Sequence, residues 1–179
     1  MKAMLLEKIE PLAANPEPLR LAEIRRPNPG DHEVLLKVSA CGVCHTELDE
    51  IEGRTPPSML PIVPGHQVIG RVVARGAQVS MLEIGDRVGV GWIFRSSGGD
   101  RENISAEFVA TGRDANGGYA EYMVVGEGYA HRIPEAFSDF EAAPLLCAGS
   151  VGYRALSLAN IRNGEVLGLT GFGGSGHLV

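Results

Sequence analysis

The chain has 179 residues, of which 44% are hydrophobic, and a formal net charge of -6. This hydrophobic fraction is ample for a buried core and argues against a disordered chain. No basic block and no run of roughly 18 apolar residues occurs, so we expect neither nucleic acid nor a membrane as a partner. The first ten residues lack the apolar stretch of a secretory signal, and we expect a cytoplasmic protein that binds a small molecule.

Short apolar runs bounded by glycine or proline predict that roughly the first 130 residues are rich in β-strands. Four runs are predicted strands: 33–38, 67–73, 86–90 and 119–125. Their spacing is typical of an all-β barrel or sandwich.

The pattern becomes helical at Ser138, because Ser138 and Glu141 fit a capping box at the start of a helix. A second helix is predicted from about Gly149 to Ala159, and an apolar strand over 166–170 follows. Helix, strand and a glycine turn in this order are typical of the beginning of a doubly wound α/β domain. We therefore predict a first domain over 1–150 and the start of a second over 151–179.

The glycine turn has the spacing G-x-G-x-x-G, formed by Gly171, Gly173 and Gly176, with Gly174 between them. Such glycines let the backbone approach a dinucleotide pyrophosphate, which lies at the N-terminus of the next helix. Only three residues follow, so most of a dinucleotide-binding sheet is missing, and we expect a fragment that is inactive alone. We expect residues 165–179 to be disordered, or to pair with another surface or a second copy.

The three cysteines, Cys41, Cys44 and Cys147, are odd in number, which favours reduced thiols over a disulfide framework. Cys41 and Cys44 form a C-x-x-C after a predicted strand, which fits half a zinc site, a redox pair or two packed thiols. His66 stands at a tight turn before a strand, where a lone histidine is more often structural. Together, two thiolates and one imidazole suit zinc with one position left open.

Five motifs and the glycine turn occur in an order that resembles one enzyme family. The motifs are GVCHT (42–46), PGHQVIG (64–70), GDRV (85–88), GGYAEY (117–122) and LCAG (146–149). Their order resembles the zinc-dependent alcohol dehydrogenases of the medium-chain dehydrogenase/reductase superfamily, and the residues around Cys147 look most like the cinnamyl-alcohol-dehydrogenase-like branch. The resemblance implies a mainly β fold: a GroES-like β-barrel catalytic domain with short helices, followed by an incomplete α/β Rossmann start.

The resemblance also implies a metal centre and a reaction. Cys44, His66 and Cys147 would bind one catalytic zinc, whereas Cys41 would be a bystander near the loop. Thr46 would take the proton of the alcohol. The implied reaction transfers hydride between a primary or secondary alcohol and NAD or NADP.

Further positions are matched to the cofactor and the substrate. His45 would face the cofactor phosphates or pass on the proton, although a solvated loop histidine is an equal alternative. Val151 would pack near the nicotinamide, or merely within its helix. Trp92 would line the substrate pocket and suit a flat alcohol, although it would also suit a core. The four glycines of the turn would bind NAD(P).

Three departures from the family pattern change these expectations. Gln67 replaces the usual glutamate after His66, so it brings no negative charge to the metal. Asp49 replaces a histidine of the proton relay, which implies a shorter relay. The loop over 93–118 has no cysteine, so we expect no structural zinc, and a homo-oligomer is possible but cannot be inferred from relatives.

Two other functions fit the same residues. The chain could be a non-enzymatic zinc-binding or interaction module that docks through its C-terminal segment. It could also be a zinc-free reductase of the same superfamily, in which the cysteines only pack.

Overall fold

The computed structural model of the chain describes residues 1–99 and 104–179, and antiparallel strands dominate this part. The strands are β1 (Lys2–Leu6), β2 (Leu19–Glu23), β3 (Glu33–Cys41), β4 (Val68–Arg75), β5 (Arg87–Val90), β6 (Ile93–Arg95), β7 (Val109–Ala110), β8 (Tyr122–Gly126) and β9 (His131–Arg132). The helices are α1 (His45–Ile51), α2 (Asp139–Pro144) and α3 (Ser150–Ala159), with a π-helical turn at Leu145–Gly149. The predicted mainly β fold with short helices is confirmed.

The main sheet has the strand order β8-β3-β4-β5-β9, with every neighbouring pair antiparallel. The strand β3 lies inside the sheet, and its residues Val34, Leu35 and Leu36 are all buried, whereas Lys37 is exposed. Val34 and Leu36 point to one face of the strand and belong to the main core cluster. Val68 and Val88 of the neighbouring strands are fully buried in the same core. The four strands predicted from the sequence all belong to this sheet.

The N-terminal strand β1, which the sequence analysis missed, connects the smaller hairpin of β1 and β2 to the rest of the core. Leu6 and Ile62 exchange two backbone hydrogen bonds of 2.9 and 3.0 Å. Both side chains are fully buried and pack with Ile51 of α1. The packing fixes α1 against the main body of the chain.

A turn over residues 110–119 supports the loop that carries His66. The amides of Gly117, Gly118 and Tyr119 donate to the carbonyls of Val63, Gly65 and Pro64 at 2.7, 2.9 and 3.0 Å respectively. Gly65 has a positive φ of 98°, a conformation that glycine adopts without the usual side-chain penalty. The loop before β4 is therefore held by backbone contacts at Val63, Pro64 and Gly65.

The predicted helical region is confirmed. The backbone amide of Glu141 donates to the Ser138 side chain at 3.3 Å, and the Ser138 amide donates to the Glu141 carboxylate at 2.8 Å, completing the capping box. The second helix begins at Ser150, one residue after the predicted start, and ends before Asn160, whose φ is 50°.

The predicted strand over 166–170 does not form. Residues 160–179 contain only turns and irregular backbone, and Val166 is 95% exposed. A strand needs a neighbour for its backbone hydrogen bonds, and no strand of the described residues pairs with this segment. The division at residue 150 and the proposed disorder or pairing of the C-terminal segment stay predictions. None of the described helices is long and apolar enough for a membrane span.

Replacing Gly117 with alanine should destabilise the chain. The new Cβ would overlap the carbonyl oxygen of Gly65 and lie 2.8 Å from that of Pro64. We expect the free energy of unfolding to fall by about 2–3 kcal/mol in urea titrations, because backbone atoms must shift. Gly128→Ala is the matched control, because its Cβ would meet nothing within 4 Å. Equal effects of the two substitutions would contradict the close packing of the turn.

Candidate metal centre

Three distant parts of the chain bring two sulfurs and one imidazole together. Cys44 is the N-cap of α1, His66 directly precedes the turn into β4, and Cys147 lies in the π-helical turn after α2. The ligand atoms of these residues lie within 4.8 Å of one another. The two Sγ atoms are 3.9 Å apart although the residues are separated by 103 positions. The structure therefore brings the three predicted metal ligands to one point.

The geometry of the three side chains fits a zinc ion. Two thiolates that each lie about 2.3 Å from a tetrahedral zinc are about 3.8 Å apart, close to the observed Sγ–Sγ distance. His66 is buried, and its Nε2 has no hydrogen-bond partner among the described residues. A buried nitrogen without a partner is costly unless a ligand satisfies it. This unsatisfied nitrogen beside two sulfurs is what a metal ligand set requires.

Glu47 orients two of the three candidate ligands. One carboxylate oxygen lies 2.6 Å from Nδ1 of His66, and the other accepts the backbone N–H of Cys44 at 2.7 Å. Glu47 itself is buried. A carboxylate on the far nitrogen of a ligating histidine fixes its tautomer and orientation and raises its basicity.

The sequence analysis missed Glu47 and looked for a negative charge only at position 67. Gln67 is buried, and its side chain lies against Gly42. The charge beside the metal ligands comes instead from the third residue after Cys44. The signal was present, because an acidic residue three positions after a helix N-cap is the pattern of a capping box.

The pKa values of the three candidate ligands depend on one another because the side chains are so close. Close contacts with Cys147 and His66 lower the pKa of Cys44 to about 3, and the pKa of Cys147 is raised by the neighbouring Cys44 and by burial. Burial lowers the pKa of His66, but contacts with Cys44 and Glu47 outweigh it and raise the pKa to about 9. The cluster therefore holds a thiolate at neutral pH, and a divalent cation would displace the remaining protons.

Cys41 lies outside the ligand cluster. Its Sγ packs closely against Gly65 and Gly118, because a Cβ added to either glycine would lie only 2.8 or 2.9 Å from this sulfur. Burial raises the pKa of this thiol to about 12, so it stays protonated at neutral pH. Such a thiol is inert toward metals and alkylating reagents.

An open cleft of about 520 Å³ is lined by two of the three ligands, His66 and Cys147. Several predicted site residues line it together: Thr46, His66, Trp92, Cys147 and Val151. The Trp92 ring meets the His66 ring edge-on with 4.9 Å between centroids. The Thr46 hydroxyl lies 3.5 Å from Cys44 Sγ.

Other predicted site residues lie away from the ligands. His45 is exposed, and its Nε2 lies 3.8 Å from the carboxylate of Asp49, which pairs with Arg54 at 2.5 Å. Asp49 therefore belongs to a surface ion pair at the predicted relay position. The predicted cofactor glycines, Gly171, Gly173, Gly174 and Gly176, do not line the cleft. The loop without cysteine, 93–118, falls partly outside the described residues, at 100–103.

A family model described as "Alcohol dehydrogenase GroES-like domain" matches residues 30–135, more than half of the chain. The chain belongs to the alcohol dehydrogenase GroES-like domain family. The match covers the main sheet, Cys44 and His66, whereas Cys147 follows it.

Relatives of this GroES-like domain are named alcohol dehydrogenases. The chain is 42% identical over 172 residues to a probable alcohol dehydrogenase AdhA of Mycobacterium tuberculosis, covering 90% of this chain and 50% of that protein. It is similar to a cinnamyl alcohol dehydrogenase structure from Sorghum bicolor, with a TM-score of 0.84 and 32% identity over 99% of this chain and 53% of that one. A cobalt- and zinc-bound thermostable alcohol dehydrogenase from Pyrobaculum aerophilum has a TM-score of 0.81 and 28% identity, over 92% and 50% respectively.

The chain thus spans about half the length of the proteins that it resembles. The resemblance to zinc-type alcohol dehydrogenases, including the cinnamyl alcohol dehydrogenase branch, is confirmed for this half.

Thiol alkylation distinguishes the cluster from the bystander cysteine. With metal removed by a chelator at pH 7, iodoacetamide should modify the Cys44 and Cys147 pair at least about tenfold faster than Cys41, because only the pair holds a thiolate. Added zinc should protect the pair. Peptide mass spectrometry measures each site, and equal labelling of Cys41 would contradict the assignment.

Glu50 is a second buried carboxyl group beside the centre. It is 1% exposed, and neither of its oxygens has a hydrogen-bond partner among the described residues. Burial, followed by the nearby charge of Glu47, raises its pKa to about 8. The folded chain therefore keeps this proton over a pH range in which the unfolded chain loses it, and stability falls as the pH rises from about 4 to 8.

Glu50→Gln should remove this pH-dependent loss of stability. We expect the variant to exceed the parent by about 1–3 kcal/mol in free energy of unfolding at pH 8, and by much less at pH 5, where Glu50 is protonated. Urea titrations at both values measure the difference. Glu17→Gln, at an exposed site, is the control. A Glu50→Gln variant less stable than the parent at pH 8 would show that the ionised carboxylate is stabilised in the fold.

Proposed function

We propose that this chain carries the catalytic metal centre of a zinc-dependent alcohol dehydrogenase. The supporting observation is the convergence of Cys44, His66 and Cys147 beside an open cleft, which His66 and Cys147 line. Two cysteines and one histidine, with a fourth position left open, are the catalytic ligand set known for alcohol dehydrogenases. The substrate is a primary or secondary alcohol or the corresponding aldehyde or ketone, bound in the cleft.

Each residue at the site has its own proposed role in the reaction. Cys44, His66 and Cys147 would hold the zinc, and Glu47 keeps His66 and Cys44 oriented toward it. When bound, zinc is a Lewis acid that stabilises an alkoxide or polarises a carbonyl. The Thr46 hydroxyl would accept the alcohol proton and pass it toward solvent, with the exposed His45 at the next position along the path.

The hydride acceptor is proposed to be NAD or NADP. The G-x-G-x-x-G spacing of residues 171–176 supports this cofactor class, since it allows close approach to a pyrophosphate. Val151 lines the cleft beside Cys147 and is the proposed contact for the nicotinamide. No parallel sheet exists among the described residues, so the cofactor site needs structure beyond these elements. We therefore propose that the chain is inactive alone.

Metal content tests the proposed centre directly. The purified chain should contain about one zinc per molecule by inductively coupled plasma mass spectrometry, because one ligand set of this kind is present among the described residues. Cys44→Ser, His66→Ala and Cys147→Ser should each lose most of the zinc while the circular dichroism spectrum stays β-rich.

Cys41→Ser is the matched control for these variants, because Cys41 belongs to the same C-x-x-C but lies outside the cluster. It should retain the zinc of the parent chain. A parent chain that folds but binds no zinc from a zinc-containing buffer would contradict the proposal and favour a zinc-free reductase. Loss of zinc in Cys41→Ser but not in Cys147→Ser would contradict the ligand assignment.

A further inference from the structure

Trp92 forms a wall of the cleft next to a metal ligand, and a cationic side chain lies over it. Its ring meets His66 edge-on at 4.9 Å and lies 6.4 Å from the ring of Phe108. The guanidinium carbon of Arg113 lies 5.4 Å from the centre of the Trp92 ring and 5.8 Å from that of Phe108. A cation within about 6 Å of an aromatic ring is attracted by the negative charge of the ring face.

Arg113 is held in place by its neighbours. Its guanidinium donates three hydrogen bonds to Asp114: Nη2–Oδ2 at 2.7 Å, Nε–Oδ1 at 3.1 Å and Nε–Oδ2 at 3.2 Å. The Asp114 carboxylate also accepts the backbone N–H of Ala110 at 2.9 Å. The Arg113 carbonyl accepts the backbone N–H of Ser58 at 3.3 Å. An arginine anchored in this way loses little conformational freedom when it stacks on a ring.

The same turn supports Trp92 and the metal-ligand loop. The backbone N–H of Thr111 donates to the carbonyl of Trp92 at 2.9 Å. A few residues later, Gly117 and Gly118 hold the loop that ends in His66. Movement of this turn would therefore affect both the indole wall and the imidazole ligand.

We propose that Arg113 is a positioning residue that fixes the indole of Trp92, and thereby the substrate-facing wall of the cleft. The indole packed between His66 and the stacked guanidinium presents a flat apolar surface of fixed orientation. Without Arg113, the indole would lose the contact over its ring face and keep the edge-on contact with His66 and the tilted contact with Phe108. The role as a substrate wall rests on the proposed function, whereas the restraint of the indole does not.

Fluorescence reports this restraint directly, because Trp92 is the single tryptophan of the chain. In the zinc-loaded chain, Arg113→Met removes the cation and keeps a side chain of similar length. We expect the acrylamide quenching constant of Trp92 to rise about two- to fivefold, because that is the change that the loss of one cation–π contact corresponds to. The fluorescence anisotropy should fall. Arg113→Lys keeps a charge without the planar stack, and its quenching should lie between those of the parent and Arg113→Met.

Arg26→Met is the matched control, because the Arg26 guanidinium stacks over Tyr122, at 4.2 Å, rather than over Trp92. It should leave the quenching of Trp92 unchanged. Zinc content is measured for every variant and should equal that of the parent, which separates movement of the indole from loss of the centre.

The proposal is overturned if Arg113→Met or Arg113→Lys folds with full zinc content and shows the quenching and anisotropy of the parent chain. If Arg113→Met fails to fold, the result for Arg113→Lys decides. A parent chain without zinc would contradict the proposed function, but the comparison of quenching between variants would still test the restraint of Trp92.

Discussion

The close approach of Cys44, His66 and Cys147 is the constraint on which the rest of the structure depends. Each residue comes from a different local structure: a helix N-cap, a glycine-supported loop and a π-helical turn. The ligand atoms of the two cysteines and the buried imidazole lie within 4.8 Å of one another, and Nε2 of His66 has no hydrogen-bond partner among the described residues. A soft divalent cation would satisfy this nitrogen and replace the protons on the ligand groups.

The fold supplies rigidity to these ligands through charge and through the backbone. The buried Glu47 links the ring of His66 to the amide of Cys44, so two ligands share one carboxylate. The turn over 110–119 holds the loop of His66 by amide–carbonyl bonds and carries Arg113, which stacks on Trp92. The metal ligands and the cleft wall are thus positioned by the same few segments, which lets a reactive geometry persist without a large core around it.

Local patterns in the sequence were sufficient for four of the five strands of the main sheet, all but β9, and for the helix that begins after Ser138. Turn residues and buried β-branched side chains are local signals. The close approach of Cys147 to Cys44 is not local, and only the ordered motifs of a known family indicated it. The capping-box pattern of Cys44 and Glu47 was a local signal that the sequence analysis overlooked, but the contact of Glu47 with His66 joins separate segments and has no local signal. The strand over 166–170 was wrongly predicted because its apolar pattern does not reveal whether a pairing partner exists.

The coordination of the bound metal tests the central claim most directly. X-ray absorption at the zinc edge of the loaded chain should show two sulfur neighbours at about 2.3 Å and light-atom neighbours at about 2.0–2.1 Å. One of these light atoms should be a nitrogen of a single imidazole ring, which the spectrum identifies by multiple scattering from the other ring atoms. A zinc bound only by nitrogen and oxygen, or by one sulfur, would contradict the convergence of Cys44, His66 and Cys147 on one ion.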